Sequence, residues 1–152
     1  MTLPTIRRIA ACCLLLLPLA GCGDEDSPTA PPPGVAGVYT LTSINDQPLH
    51  FAVRNDPELT IVVANGALRL GPDGTFRLGL ASEVTRPPAA PRPASAESIG
   101  DYRVNGTTIR FEAVQESDYS GTIRNDSVFV TRTFLEAPAV PLNLVLVKTA
   151  PL

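Results

Sequence analysis

Few side chains in this sequence could carry chemistry. His50 is the only imidazole among 152 residues, so any serine–histidine–aspartate mechanism has to use it. It stands in Gln47-Pro48-Leu49-His50-Phe51, and the chain has no Gly-x-Ser-x-Gly turn to present a strained nucleophile. Two carboxylate pairs, Asp56 with Glu58 and Glu116 with Asp118, are of the type that does general acid and base work. Both lie where turns favour acids anyway. Gly71-Pro72-Asp73-Gly74 runs into a β-type segment rather than a helix, so its glycines serve a turn and not a phosphate cradle. One histidine excludes a multi-histidine zinc site, and no metal or cofactor is expected. A net charge of −3 without a long basic run argues against a nucleic-acid partner. The expectation is a protein that is not an enzyme.

The cysteines point elsewhere. Arg7 and Arg8 precede an apolar run from Ile9 to Ala20, which is shorter than the roughly 18 to 20 residues a membrane-spanning helix needs. A basic start and a short apolar core make a secretion signal. The run ends Leu19-Ala20-Gly21-Cys22, which resembles the lipobox of bacterial lipoproteins. The resemblance implies removal of residues 1–21 and acyl chains on Cys22, which anchor the chain to a membrane of the bacterial cell envelope. That membrane is the outer one or the inner one at its periplasmic face. Cys12 and Cys13 leave with the leader, so the mature chain has no free thiol for a disulfide, a metal site or a nucleophile. Residues 22–34 follow as an acidic, proline-rich tether containing Asp24-Glu25-Asp26 and Pro31-Pro32-Pro33.

Residues 35–152 read as one all-β domain. Runs rich in Val, Ile, Leu, Thr, Phe and Tyr alternate with turn residues, and Asp73-Gly74 and Asn105-Gly106 are strong hairpin signals. Within 59–70 the apolar phase switches from Leu59, Ile61 and Val63 to Leu68 and Leu70. Either two short strands turn at Asn65-Gly66, or one strand carries a β-bulge there. With one bulged strand the chain has eight: 38–44, 59–71, 75–84, 98–104, 107–114, 119–124, 127–134 and 142–149. Tight turns and longer loops then alternate, which gathers the longer loops at one end of an up-and-down meander. Pairing of the first and last strands closes an antiparallel barrel and removes both free edges. An open two-sheet β-sandwich is the alternative.

This plan is similar to the lipocalin, or calycin, group. Gly37-Val38-Tyr39 stands where that group has Gly-x-Trp, although a Thr-Asp-Tyr signature and a late helix are absent. Small lipoproteins that begin a barrel as Gly37-Val-Tyr-Thr-Leu-Thr-Ser-Ile-Asn45, with a hairpin like Gly71-Pro-Asp-Gly-Thr-Phe76, look closer still. The resemblance implies a fold and says little about activity. Eight-stranded barrels either fill with side chains or hold one small ligand. On the first reading Tyr39, Leu41, Phe76, Leu78, Leu80, Tyr102 and Phe111 surround a small apolar ligand. Leu49, His50 and Phe51 of loop 45–58, with Arg86 and Arg92 of the long proline-rich loop 85–97, then form a lid at the mouth. The alternative is a filled core whose mouth loops contact another envelope protein. Because the tether enters at the tight-turn end, the mouth faces away from the membrane.

Overall fold

The computed structural model describes residues 31–133 and 141–152. Cys22, the leader and residues 22–30 of the tether lie outside the described residues. The described residues form ten strands: β1 (Gly37–Ile44), β2 (Gln47–Pro48), β3 (Phe51–Asn55), β4 (Thr60–Leu70), β5 (Thr75–Thr85), β6 (Arg92–Asn105), β7 (Thr108–Ala113), β8 (Tyr119–Arg124), β9 (Ser127–Thr133) and β10 (Pro141–Ala150). Neighbours from β4 to β10 pair antiparallel in chain order, β10 pairs with β1, and β1 pairs back onto β4. The sheet is therefore a closed eight-stranded antiparallel barrel, consistent with a lipocalin-like fold, and not an open sandwich. All these pairings lie within residues 37–150, so the segment 31–152 carries every strand and core residue among the described residues and needs nothing outside it to close the sheet, which is what independent folding requires.

Segment 60–70 is one strand with a bulge, as the phase switch requires. Val63 pairs with Ser82 and Asn65 with Ala81, which leaves Ala64 as the extra residue. The bulge also marks a fork. Below it Ala67 to Leu70 pair with β1, while above it Thr60 to Val63 pair with β3. The upper end of β1 pairs with β2 instead, so the barrel spreads towards its mouth. Gly66 lies at the narrowing, where a Cβ would stand 2.5 Å from the Leu80 side chain and 3.1 Å from Leu41. Gly100 on β6 leaves similar room, since a Cβ there would run into the Glu112 backbone carbonyl of β7.

Two segments differ from the sequence reading. Residues 45–58 are not a free loop: Asn45 and Asp46 make a tight turn with φ of +49° and +61°, and β2 and β3 follow. Residues 85–97 are mostly a hairpin, because β5 runs to Thr85 and β6 begins at Arg92. From Arg92 to Ser98 only β5 pairs with β6 among the described residues, so half of the N–H groups there face no described partner strand. A strand with such an edge tolerates Pro93. Apolar periodicity cannot reveal a strand that has no core to face.

Inward residues alternate cleanly inside the barrel. Phe76, Leu78 and Leu80 of β5, Ile109 and Phe111 of β7, and Leu142, Leu144 and Leu146 of β10 are all buried. The middle layer is aromatic. Phe76 meets Phe111 edge-on at 4.9 Å, and Phe111 stacks on Tyr119 at 4.9 Å. Towards the tight-turn end, the buried Tyr102 hydroxyl donates to the Gly71 carbonyl at 2.8 Å, pinning the β4–β5 turn. Tyr39 donates to Val35 at 2.6 Å where the chain enters.

All three tyrosines of the chain resist ionisation. Burial pushes Tyr102 up to about 12, with the neighbouring Tyr39 and Asp73 adding to it. Burial likewise raises Tyr39, helped by Asp126. It also raises Tyr119, against the opposing pull of Ser98 and Arg132. The unfolded chain gives up these phenol protons first, near pH 10. The stabilisation is thus complete below pH 10 and is lost as the pH rises towards 12, with Tyr102 alone contributing about 2 to 3 kcal/mol. An alkaline titration should show phenolate absorbance appearing together with loss of the folded circular-dichroism signal. Ordinary titration of folded tyrosines near pH 10 would refute this.

Candidate functional site: the mouth cavity

Strand parity lays the site above the aromatic layer. On β9 the inward positions are Val128, Val130 and Arg132, so the strand that supplies two core valines delivers an arginine to the third inward step. The Arg132 side chain is only 9% exposed. Its Nη2 donates to Glu116 Oε2 at 2.6 Å, and its guanidinium lies over the Tyr119 ring at 5.5 Å. A short charge-assisted bond and a cation–π contact offset the cost of burying the charge. Tyr119 is held in turn by a 3.0 Å hydrogen bond with Ser98. These four side chains come from β6, the β7–β8 loop, β8 and β9, and they form a polar shelf on top of the core.

Above the shelf opens a cavity of about 350 Å³. Val53, Ile61, Val63, Leu80 and Val84 give it an apolar wall from β3, β4 and β5. Ser98, Gln115, Glu116 and Arg132 line the other side. The free part of the β5–β6 hairpin, from Ala94 to Glu97, completes the rim. The volume lies within the roughly 300 to 1,000 Å³ common for small-molecule sites, and an apolar wall with few polar groups is their usual composition.

Of the seven residues proposed from sequence to surround a ligand, Leu80 lines this cavity. Tyr39, Leu41, Phe76, Leu78, Tyr102 and Phe111 belong to the packed core beneath it. Leu49 and Phe51 pack partly buried against that core, and His50 between them is exposed with a φ of +66°. Arg86 and Arg92 are exposed at the tip of the β5–β6 hairpin.

The carboxylate pairs separate. Asp56 accepts from Arg54 at 2.5 Å and from the backbone N–H groups of Glu58 and Leu59, a turn-holding role. The Arg54 hydrogen bond holds its carboxyl below the usual range. Asp118 pairs with Arg110 on the surface at 3.0 Å, while its neighbour Glu116 turns into the cavity. Among the described residues no group of three or more His, Cys, Asp or Glu side chains could hold a metal ion.

Sequence reasoning passed over Arg132, Ser98 and the role of Glu116. The signal for Arg132 was its parity, because Val128, Val130 and Arg132 share one face of a strand. Glu116 gave no such sign, since a turn acid and a cavity acid look alike in sequence.

The fold and the cavity define a class: a closed eight-stranded antiparallel barrel with a half-apolar pocket in its mouth. Such a barrel is compatible with ligand binding. Comparison with protein-family models, curated proteins and solved structures finds no match to this chain.

Proposed function

We propose that this chain is a lipid-anchored lipoprotein of a bacterial cell envelope whose barrel binds a small apolar ligand in its mouth. The observation that carries the binding reading is the cavity of about 350 Å³ against Val53, Ile61, Val63, Leu80 and Val84. At about 30 Å³ per water-sized element, it takes a ligand of about a dozen non-hydrogen atoms. The anchoring reading rests on Arg7, Arg8 and Leu19-Ala20-Gly21-Cys22. Two or more acyl chains on Cys22 hold a protein stably at a membrane, whereas one gives only marginal attachment. The chain enters the barrel at the tight-turn end, where Gly37 pairs with Leu70, so the anchored mouth opens towards the surrounding fluid.

Two experiments test the two halves. Segment 31–152, purified and extracted with organic solvent, should yield a reproducible small apolar molecule, and its melting temperature should rise with short-chain amphiphiles. Val84→Trp, filling the rim, should abolish that rise while the barrel stays folded. No bound molecule and no shift in melting would reject the binding reading. For the anchor, Cys22→Ala should leave an uncut precursor without fatty-acid label; continued labelling would reject it.

A second reading has its own observation. Among the described residues the β6 edge from Arg92 to Ser98 is unpaired on one side and exposed except at Ser98, a form that can add a strand from another envelope protein.

A further inference from the structure

Resting on the mouth-binding reading, we propose that the ligand is an uncharged amphiphile whose hydroxyl or amide N–H donates to Glu116. Glu116 Oε2 is taken by Arg132, but Glu116 Oε1 is shielded from solvent and accepts no hydrogen bond among the described residues. A buried carboxylate oxygen without a donor is costly, so a ligand that brings one gains more there than it would in water.

The charge of the shelf sets the kind of donor. Glu116 and Arg132 compensate one another at 2.6 Å, so the pair presents no net charge to the cavity. A ligand carboxylate would meet the acceptor oxygen of Glu116 and would have to compete with it for Arg132. A ligand ammonium could reach Glu116 Oε1 only beside the Arg132 guanidinium. Either charge would also lose its water against Val63 and Leu80. A neutral donor escapes both penalties. Its apolar body lies along the valine, leucine and isoleucine wall, and its polar end turns down to the shelf. The site thus reads the head group as well as the tail.

Octan-1-ol, octanoate and octylammonium share one tail and differ in the head, and each is small enough for the cavity. Calorimetric titration of segment 31–152 at neutral pH should show octan-1-ol binding about tenfold or more tightly than either charged probe. Equal or tighter binding of octanoate or octylammonium would overturn the head-group inference and leave the mouth-binding reading standing. Binding of none of the three would sink both.

Two variants localise the effect. Glu116→Gln keeps the shape and removes the carboxylate charge beside Arg132, so the preference should swing towards octanoate by about tenfold or more. Glu116→Asp keeps the charge but withdraws the acceptor oxygen, so octan-1-ol should weaken about tenfold with octanoate still disfavoured. If Glu116→Gln does not fold, the native probe series and Glu116→Asp decide the question. An unchanged alcohol preference in a folded variant would overturn the assignment to Glu116.

Discussion

Replacing Phe111 by Ala is expected to remove about 3 to 5 kcal/mol of stability. Phe111 is 1% exposed at the centre of the barrel, edge-on to Phe76 and stacked on Tyr119. Truncation removes its buried area and both ring contacts, and it opens a void that eight hydrogen-bonded strands cannot collapse to fill. Domains of this size are typically stable by about 5 to 15 kcal/mol, so the loss is roughly a fifth or more of the whole. Denaturant unfolding should move to a much lower midpoint with an unchanged slope. Phe129 supplies the control. It is the same residue type on the outward face of β9, 38% exposed, and Phe129→Ala should cost about 1 kcal/mol or less. Similar costs at the two positions would contradict the packed interior.

Arg132→Ala should be nearly as damaging, for a different reason. It deletes the partner of Glu116, whose carboxylate is then buried 86% out of solvent without its cation (side-chain exposure 14%). Breaking a buried pair from one side costs about 3 to 5 kcal/mol. Glu116→Ala should cost a comparable amount, and the double variant much less than the two together. Arg132→Met with Glu116→Leu goes further. An apolar pair of similar size should hold stability near that of the native chain, because neither charge then has to be desolvated. The same double variant should lose the preference for octan-1-ol over octanoate. If the single variants prove neutral, the shelf is not a coupled unit.

Much of this architecture is legible in the residues because alternation is a strong signal where a strand has a core to face. The step from Val63 to Leu68 announces the bulge, and the spacing of Asp73-Gly74, Asn105-Gly106 and Asn125-Asp126 puts the tight turns at one end. The even strand number allows antiparallel closure, and the pairing of β1 with β10 and with β4 shows it. The turn chemistry is nearly right too, although Gly106, with φ of +60°, takes the first central position of its turn rather than the second. The rest is hidden for physical reasons. The outer half of the β5–β6 hairpin faces solvent on both sides, so Arg92-Pro-Ala-Ser-Ala-Glu97 has no period to read. β2 and β3 are short and half-exposed. The inward residues of β1, β5 and β7 are visible as one set, but alternation alone does not say how far up the barrel they fill it. Height decides which of them line the cavity. Leu80 is the last large inward residue of β5 below the cavity's open part, whereas Phe76 and Leu78 stand lower in the packed layers.

Where an apolar ligand goes decides whether the mouth cavity is a binding site. Methyl-resolved NMR of segment 31–152 during titration with octan-1-ol observes that directly. The expected result is saturable shifts at the methyl groups of Val53, Ile61, Val63, Leu80 and Val84, with those of Leu68, Val128 and Leu146 in the lower barrel nearly still. Shifts spread through the lower core, or confined to the outer faces of the strands, would contradict a binding cavity in the mouth.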